Sequence, residues 1–266
     1  MNDNHFPRGR STSGDSFRTD SFRTDSFRTD SFDAPAPITP APPTELSDPM
    51  LLSPGTAQEL LRGASWQRYA VVGDSIALGI GDPSPGYAPT GWADRVATAL
   101  RGANPGMRYL NTGRKGATTA EVRAEQLAPV MEFEPDLVHI ICGGNDLFVA
   151  EPDVDGLRAN LDTLFAALAA TGAQLCTFTV ADVWETERMA AMAPMRDRMA
   201  ALNAIIGDVA STYDALLVDF WRHPLRLRPD LMSADLIHFA SSGHAVVATE
   251  MIRALSTLIQ STPATH

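Results

Sequence analysis

The sequence predicts an α/β domain, a parallel sheet covered by helices on both faces. Two observations predict it. From residue 69 onward, short apolar runs rich in Val, Ile and Leu alternate with longer segments whose apolar residues recur at helical spacing. Several of the runs also end in a glycine or a small polar residue, where a strand would open into a turn.

The elements follow in order. Residues 69–72 (Tyr-Ala-Val-Val) read as a first strand, and 92–100 as a helix with Trp92, Val96 and Leu100 on one face. Residues 107–110 are a short second strand and 120–131 a helix. Residues 136–142 form a third strand through Leu137, Val138, Ile140 and Ile141, ended by Gly143 and Gly144. Residues 154–170 make an amphipathic helix, with Leu157, Leu161, Leu164, Phe165 and Leu168 at helical spacing. A fourth strand spans 174–180, a long helix 189–211 is interrupted near Pro194, and a fifth strand spans 215–220. A last helix covers 241–259, with Ser241 or Ser242 as its N-cap.

Right-handed crossovers restrict how such strands are ordered. Open sheets of this kind bind ligands beyond the carboxyl ends of their strands, where the strand order reverses. Ser75, Gly116 and Asn145 follow the first, second and third strands. With the order 2-1-3-4-5 those three strands are neighbours, and residues scattered in sequence cluster in space.

The first sixty or so of the 266 residues have another character. A five-residue repeat, Asp-Ser-Phe-Arg-Thr, runs from Asp15 to a degenerate copy ending at Asp33, and Pro-rich sequence follows. Such a segment buries too little apolar surface to offset its ordering entropy. Residues 1–60 therefore read as a disordered arm and linker, and 61–262 as one domain with a full core. The net charge of −11 argues against nucleic acid as a partner, since that role needs basic stripes. Cys142 and Cys176 lie in apolar runs and read as buried thiols, not a disulfide. No apolar leader precedes the arm and no apolar stretch is long enough to span a bilayer, so the expected location is cytoplasmic. The oligomeric state is not legible.

The most informative residue is Ser75, in Gly73-Asp74-Ser75 at the end of the first strand. A hydroxyl presented there can act as a nucleophile if a base, an orienting group and oxyanion donors are also supplied. The same three letters at Gly14-Asp15-Ser16 follow no apolar run, so no strand presents that serine. Asp235 and His238 stand three apart in a loop before the last helix. That spacing lets the carboxylate accept from one ring nitrogen and leaves the other facing a serine. Candidate oxyanion donors are the backbone N–H groups of Ser75 and Gly116 and the side-chain amide of Asn145.

These blocks resemble the SGNH-hydrolase superfamily, also called GDSL esterases and lipases. The matching residues are Gly73-Asp74-Ser75, the stretch from Asn111 to Thr118 containing Gly116, Gly143-Gly144-Asn145-Asp146, and Asp235-Leu236-Ile237-His238. They occur in the family's order. The extended first block, through Gly79-Ile80-Gly81-Asp82-Pro83 to Gly91-Trp92-Ala93-Asp94-Arg95, is similar to actinobacterial members. The resemblance implies a three-layer, flavodoxin-like α/β/α fold and hydrolysis of carboxylic esters with short to medium acyl chains, without a cofactor or metal. It implies Ser75, Asp235 and His238 as the catalytic set, with Ser75, Gly116 and Asn145 as the oxyanion hole. The sequence departs from the family at Ile76, where Leu is frequent, and at Phe239, where Pro often follows the histidine.

Other residues have plainer readings. Asp146 is expected to support its loop, His139 to be a satisfied core histidine, and His244 to pack behind the site. His223 is a rival base, but Pro224 follows it and no acid stands at the spacing of Asp235. Met189, Met192, Met195 and Met199 suit either a helix packed on the sheet, the favoured reading, or a cover over an acyl site. Asp182, Trp184 and Phe239 are candidates for substrate contact. Acyl transfer from the same acyl-enzyme, and a catalytically silent module on the same fold, are the alternatives to hydrolysis. A zinc site is disfavoured by histidine and cysteine spacing, and a dinucleotide site by the missing third glycine after Gly79 and Gly81.

Overall fold

A computed structural model describes residues 43–261. Five parallel strands, β1 (Arg68–Gly73), β2 (Arg108–Asn111), β3 (Leu137–Ile141), β4 (Gln174–Phe178) and β5 (Leu216–Val218), form one sheet in the order β2-β1-β3-β4-β5. Among the described residues the α-helices are α1 (Pro54–Leu60), α2 (Ser75–Leu78), α3 (Trp92–Ala103), α4 (Thr119–Phe133), α5 (Val154–Ala169), α6 (Arg196–Thr212) and α7 (Ser241–Ser261).

Strand alternation divides the core into two layers. Tyr69 and Val71 point into a cluster with Leu61, Trp92, Val96 and Leu100, and with Val246, Met251 and Leu255 from α7. Ala70 and Val72 point the other way, into a cluster with Val122 of α4, Leu161, Leu164 and Phe165 of α5, and Ile205 of α6. This is the three-layer α/β/α arrangement expected, with the expected strand order. The central strands β1 and β3 are buried almost throughout, which is why they read as unbroken apolar runs.

The structure corrects several boundaries. Residues 43–60 are part of the domain, not of an arm. Ser53 caps α1 by accepting from the Thr56 N–H, and Ala57 and Leu61 are buried under α3 and α7. Asp48 is buried against Arg228 and Tyr87. The repeat and most of the Pro-rich stretch lie outside the described residues. The helix expected from 189, broken near Pro194, does break there, but the part before the break is a 3-10 run, Glu187–Met195, and only α6 after it is α-helical. Pro194 has no N–H to donate and its ring crowds the preceding turn, so α-helical bonding begins only after it. The fifth strand is three residues long, shorter than its apolar pattern suggested. Ser241 and Ser242 do not cap α7. Their hydroxyls donate to the carbonyls of Asp82 and Asp230 and so tie the helix start to two loops.

Candidate active site

Ser75 opens α2 directly after β1. The turn is built by close packing: Gly73 has φ of +147°, and a Cβ there would fall 1.8 Å from the Ile141 carbonyl oxygen. The Asp74 N–H donates to that same carbonyl at 3.0 Å, fastening the exit of β1 to the exit of β3. Gln126, buried on α4, brackets Gly73 from the other side. Its Oε1 accepts from the Gly73 N–H and its Nε2 donates to the Gly73 carbonyl, both at 2.9 Å. Nothing in the local pattern singled out Gln126, because a lone glutamine on a helix has no motif.

Asp74 caps α2 by accepting from the Ile76 N–H at 2.9 Å. Burial pushes its carboxyl up to about 7, against backbone hydrogen bonds that favour the charged form.

His238 Nε2 lies 2.7 Å from Ser75 Oγ, and His238 Nδ1 lies 2.6 Å from Asp235 Oδ2. Ser75 and His238 are both buried, whereas the Asp235 side chain is about half exposed at 48%. Burial raises the Asp235 carboxyl, but hydrogen bonds from the His238 ring and from the Ile237 and His238 N–H groups outweigh it and hold the group below its ordinary value. The loop has its own frame. The Ser233 N–H donates to the His238 carbonyl at 2.8 Å, Met232 bridges Phe239 in antiparallel fashion, and Asp82 accepts from the Ala234 N–H at 2.8 Å.

The second and third blocks are linked to each other. Asn145 Nδ2 donates to the Ala117 carbonyl at 3.0 Å, next to Gly116, whose φ of +75° suits a residue without a Cβ. Asp146 accepts from the Thr119 N–H and hydroxyl, the latter at 2.6 Å, and so has the loop-supporting position expected of it.

Beside Ser75 opens a cleft of about 970 Å³, including the open space at its mouth. Ser75, Asp74 and Asn145 line it at the strand ends, and Leu202 and Ile206 line it from α6. Met189, Met192, Met195 and Met199 form much of the wall between. The methionines, read in the first place as ordinary helix packing, therefore face the cleft. Trp184 and Phe239 line it too. Asp182 does not: its carboxylate is buried and forms a two-pronged pair with Arg196 at 2.9 and 2.5 Å.

The remaining candidates fall elsewhere. His139 is in the core between the Tyr69 and Trp92 rings, but among the described residues both its nitrogens lack partners, and burial holds it down to about 3, hence neutral. His244 is buried behind the site, within 3.1 Å of the Ile80 carbonyl. His223 accepts from the Leu225 N–H and faces Glu250 at 3.8 Å. Cys142 and Cys176 are buried free thiols. Among the described residues, no group of three His, Cys, Asp or Glu is placed to hold a metal ion, and no helix is long and apolar enough to cross a membrane.

A 2-1-3-4-5 sheet whose strand exits gather these four blocks defines an α/β hydrolase of the SGNH type. Residues 71–246 match the model of the GDSL-like Lipase/Acylhydrolase family, and the chain belongs to that family of carboxylic ester hydrolases. It is 26% identical over 209 residues to an acetylxylan esterase of Geobacillus stearothermophilus, covering 71% of this chain and 94% of that protein. The crystal structure of the Geobacillus stearothermophilus acetylxylan esterase Axe2 shares the fold with a TM-score of 0.59 at 24% identity, over 71% of this chain and 94% of Axe2. The crystal structure of TesA is similar at a TM-score of 0.57 and 26% identity, covering 72% of this chain and 99% of TesA.

Proposed function

We propose that the protein hydrolyses carboxylic esters of short to medium acyl chains through an acyl-enzyme on Ser75. The observation that carries this reading is the hydrogen-bonded line from Asp235 through His238 to Ser75, at 2.6 and 2.7 Å. Asp235 holds the Nδ1–H tautomer, which leaves Nε2 free to accept the Ser75 proton as Oγ attacks the acyl carbon. The C–O π bond opens and the charge collects on the former carbonyl oxygen. The N–H groups of Ser75 and Gly116 and the amide of Asn145 receive that charge. Collapse expels the alcohol, which takes the proton from His238. Water then attacks the acyl-enzyme, giving its proton to His238, and the acid leaves as Ser75 recovers its own. Asn145 keeps one amide hydrogen on Ala117, which fixes the direction of the other.

The test is hydrolysis of p-nitrophenyl esters from acetate to palmitate by the wild type and three variants. Ser75→Ala is expected to lower kcat by about 10⁴-fold or more. Asp235→Asn is expected to cost about 10³- to 10⁴-fold through the wrong tautomer. Asn145→Ala is expected to cost about 10²- to 10³-fold. Turnover that survives in Ser75→Ala would remove Ser75 from the reaction.

A further inference from the structure

We infer that the cleft walled by the methionines is an acyl-chain site, and that the substrate is an ester of a straight aliphatic acid of medium length and not an acetate. The inference rests on the catalytic reading above and deepens it. Three observations carry it.

The first is the lining. Past Ser75 and Asn145 the walls are mostly Met, Leu, Ile, Val, Phe and Trp, with Asp74, Cys142 and Gly144 at the serine end. Thr177 also lines the cleft, but its hydroxyl is already given to the Ile140 carbonyl at 2.8 Å. Asp182 lies outside the lining, held on Arg196, and the carboxyl that does line the cleft, Asp74, accepts from the Ile76 N–H beside the serine. The Trp184 indole N–H, which has no partner among the described residues, is a donor a sugar hydroxyl could meet, but the rest of the wall past the serine is largely apolar and suits a hydrocarbon chain, which needs nothing more than contact.

The second is the depth. Met199, Leu202 and Ile206 are spaced three and four residues apart on α6 and all line the cleft. Seven residues of helix span about 10 Å, so the apolar wall continues well beyond the two carbons of an acetyl group. An acetate would leave most of this wall unused.

The third is the cover. The 3-10 run Glu187–Met195 is a strap that places Met189, Met192 and Met195 on the cleft. Methionine side chains are unbranched and polarisable, so they close around chains of differing length better than branched residues do. Met192 and Met195 are half-buried, as a wall completed by a bound chain would leave them.

The test compares kcat/KM for p-nitrophenyl acetate, butyrate, octanoate and palmitate in the wild type, Ile206→Trp and Met195→Trp, with circular dichroism to check folding. Each buried methylene favours binding by up to about fourfold, so octanoate is expected to exceed acetate by about 10²-fold or more. Either tryptophan fills the cleft and is expected to lower the octanoate-to-acetate ratio by about tenfold or more. Met195→Trp, on the half-buried strap, serves if Ile206→Trp does not fold. A wild type that prefers acetate, or a ratio unmoved in a folded variant, would overturn the inference while leaving the esterase reading intact. Should the wild type turn over no ester, the catalytic reading falls. Titration calorimetry of Ser75→Ala with methyl octanoate and methyl acetate then decides the site: octanoate binding weakened by Met195→Trp supports it, and no binding overturns it.

Discussion

Ser75 and His238 are 163 positions apart in sequence and 2.7 Å apart in space. Each is unremarkable alone, and their use depends on small neighbours that fix their directions. Asp74 is the most exposed to experiment of these neighbours. Unfolded, an aspartate titrates near 3.8, whereas in the fold burial brings Asp74 to about 7. Between those values the folded chain keeps a proton that the unfolded chain has released. Its contribution to stability is therefore complete below about pH 4 and is lost as pH rises through about 7. Asp74→Asn keeps an acceptor for the Ile76 N–H and carries no charge. Urea unfolding is expected to show the variant gaining on the wild type by about 2.5 kcal/mol from pH 5 to pH 8. A difference that does not vary with pH would show that Asp74 is not held neutral.

Among the elements, the loop that brings His238 to Ser75 depends on a segment the composition assigned to the arm. Arg228, 10% exposed, donates to Asp48 at 2.6 Å, to Tyr87 at 3.2 Å and to Asp230 at 2.9 Å. Asp48 also accepts from the Tyr87 hydroxyl at 2.7 Å. The chain from Arg228 onward runs directly into the Met232–Phe239 bridge around the catalytic loop. Asp48→Ala is expected to lower unfolding free energy by about 1.5–3 kcal/mol, the usual cost of a lost hydrogen bond to a charged group. It is also expected to lower kcat more than it raises KM, because on the proposed mechanism the loop holds the base and not the substrate. Denaturant melts and steady-state kinetics on one preparation check both. The same segment shows a limit of composition as a guide. Prolines and small polar residues surround Asp48, Met50 and Leu51, and nothing in their own pattern reveals the groove that receives them.

At the scale of the whole molecule, the boundary of the folded unit moves. A chain beginning at residue 43 retains α1 and the Asp48 cluster, whereas one beginning at residue 62 loses both. The first is expected to melt within a few degrees of the full chain. The second removes Ala57 and Leu61 from beneath α3 and α7 and is expected to melt at least about 10 °C lower, since burial of one such side chain contributes about 1.5–3 kcal/mol. Thermal melts of the two truncations settle where the domain starts. The parallel sheet was legible because strands buried on both faces must be apolar, and the 2-1-3-4-5 order follows from bringing three motif-bearing exits together.

The sequence by itself determined the alternation of strands and helices, the family, and the residue types available for chemistry at Ser75, Gly116, Asn145, Asp235 and His238. Those are local signals, periodicity and turn chemistry, and they survive in one dimension. Only the tertiary structure decided which face a residue sees. It turned Asp182 onto Arg196, set the methionines on the cleft, left His139 without a partner among the described residues, and folded residues 43–60 onto the domain. Half-buried and lone polar residues carry no period of their own, so their roles are fixed by what packs against them from distant parts of the chain.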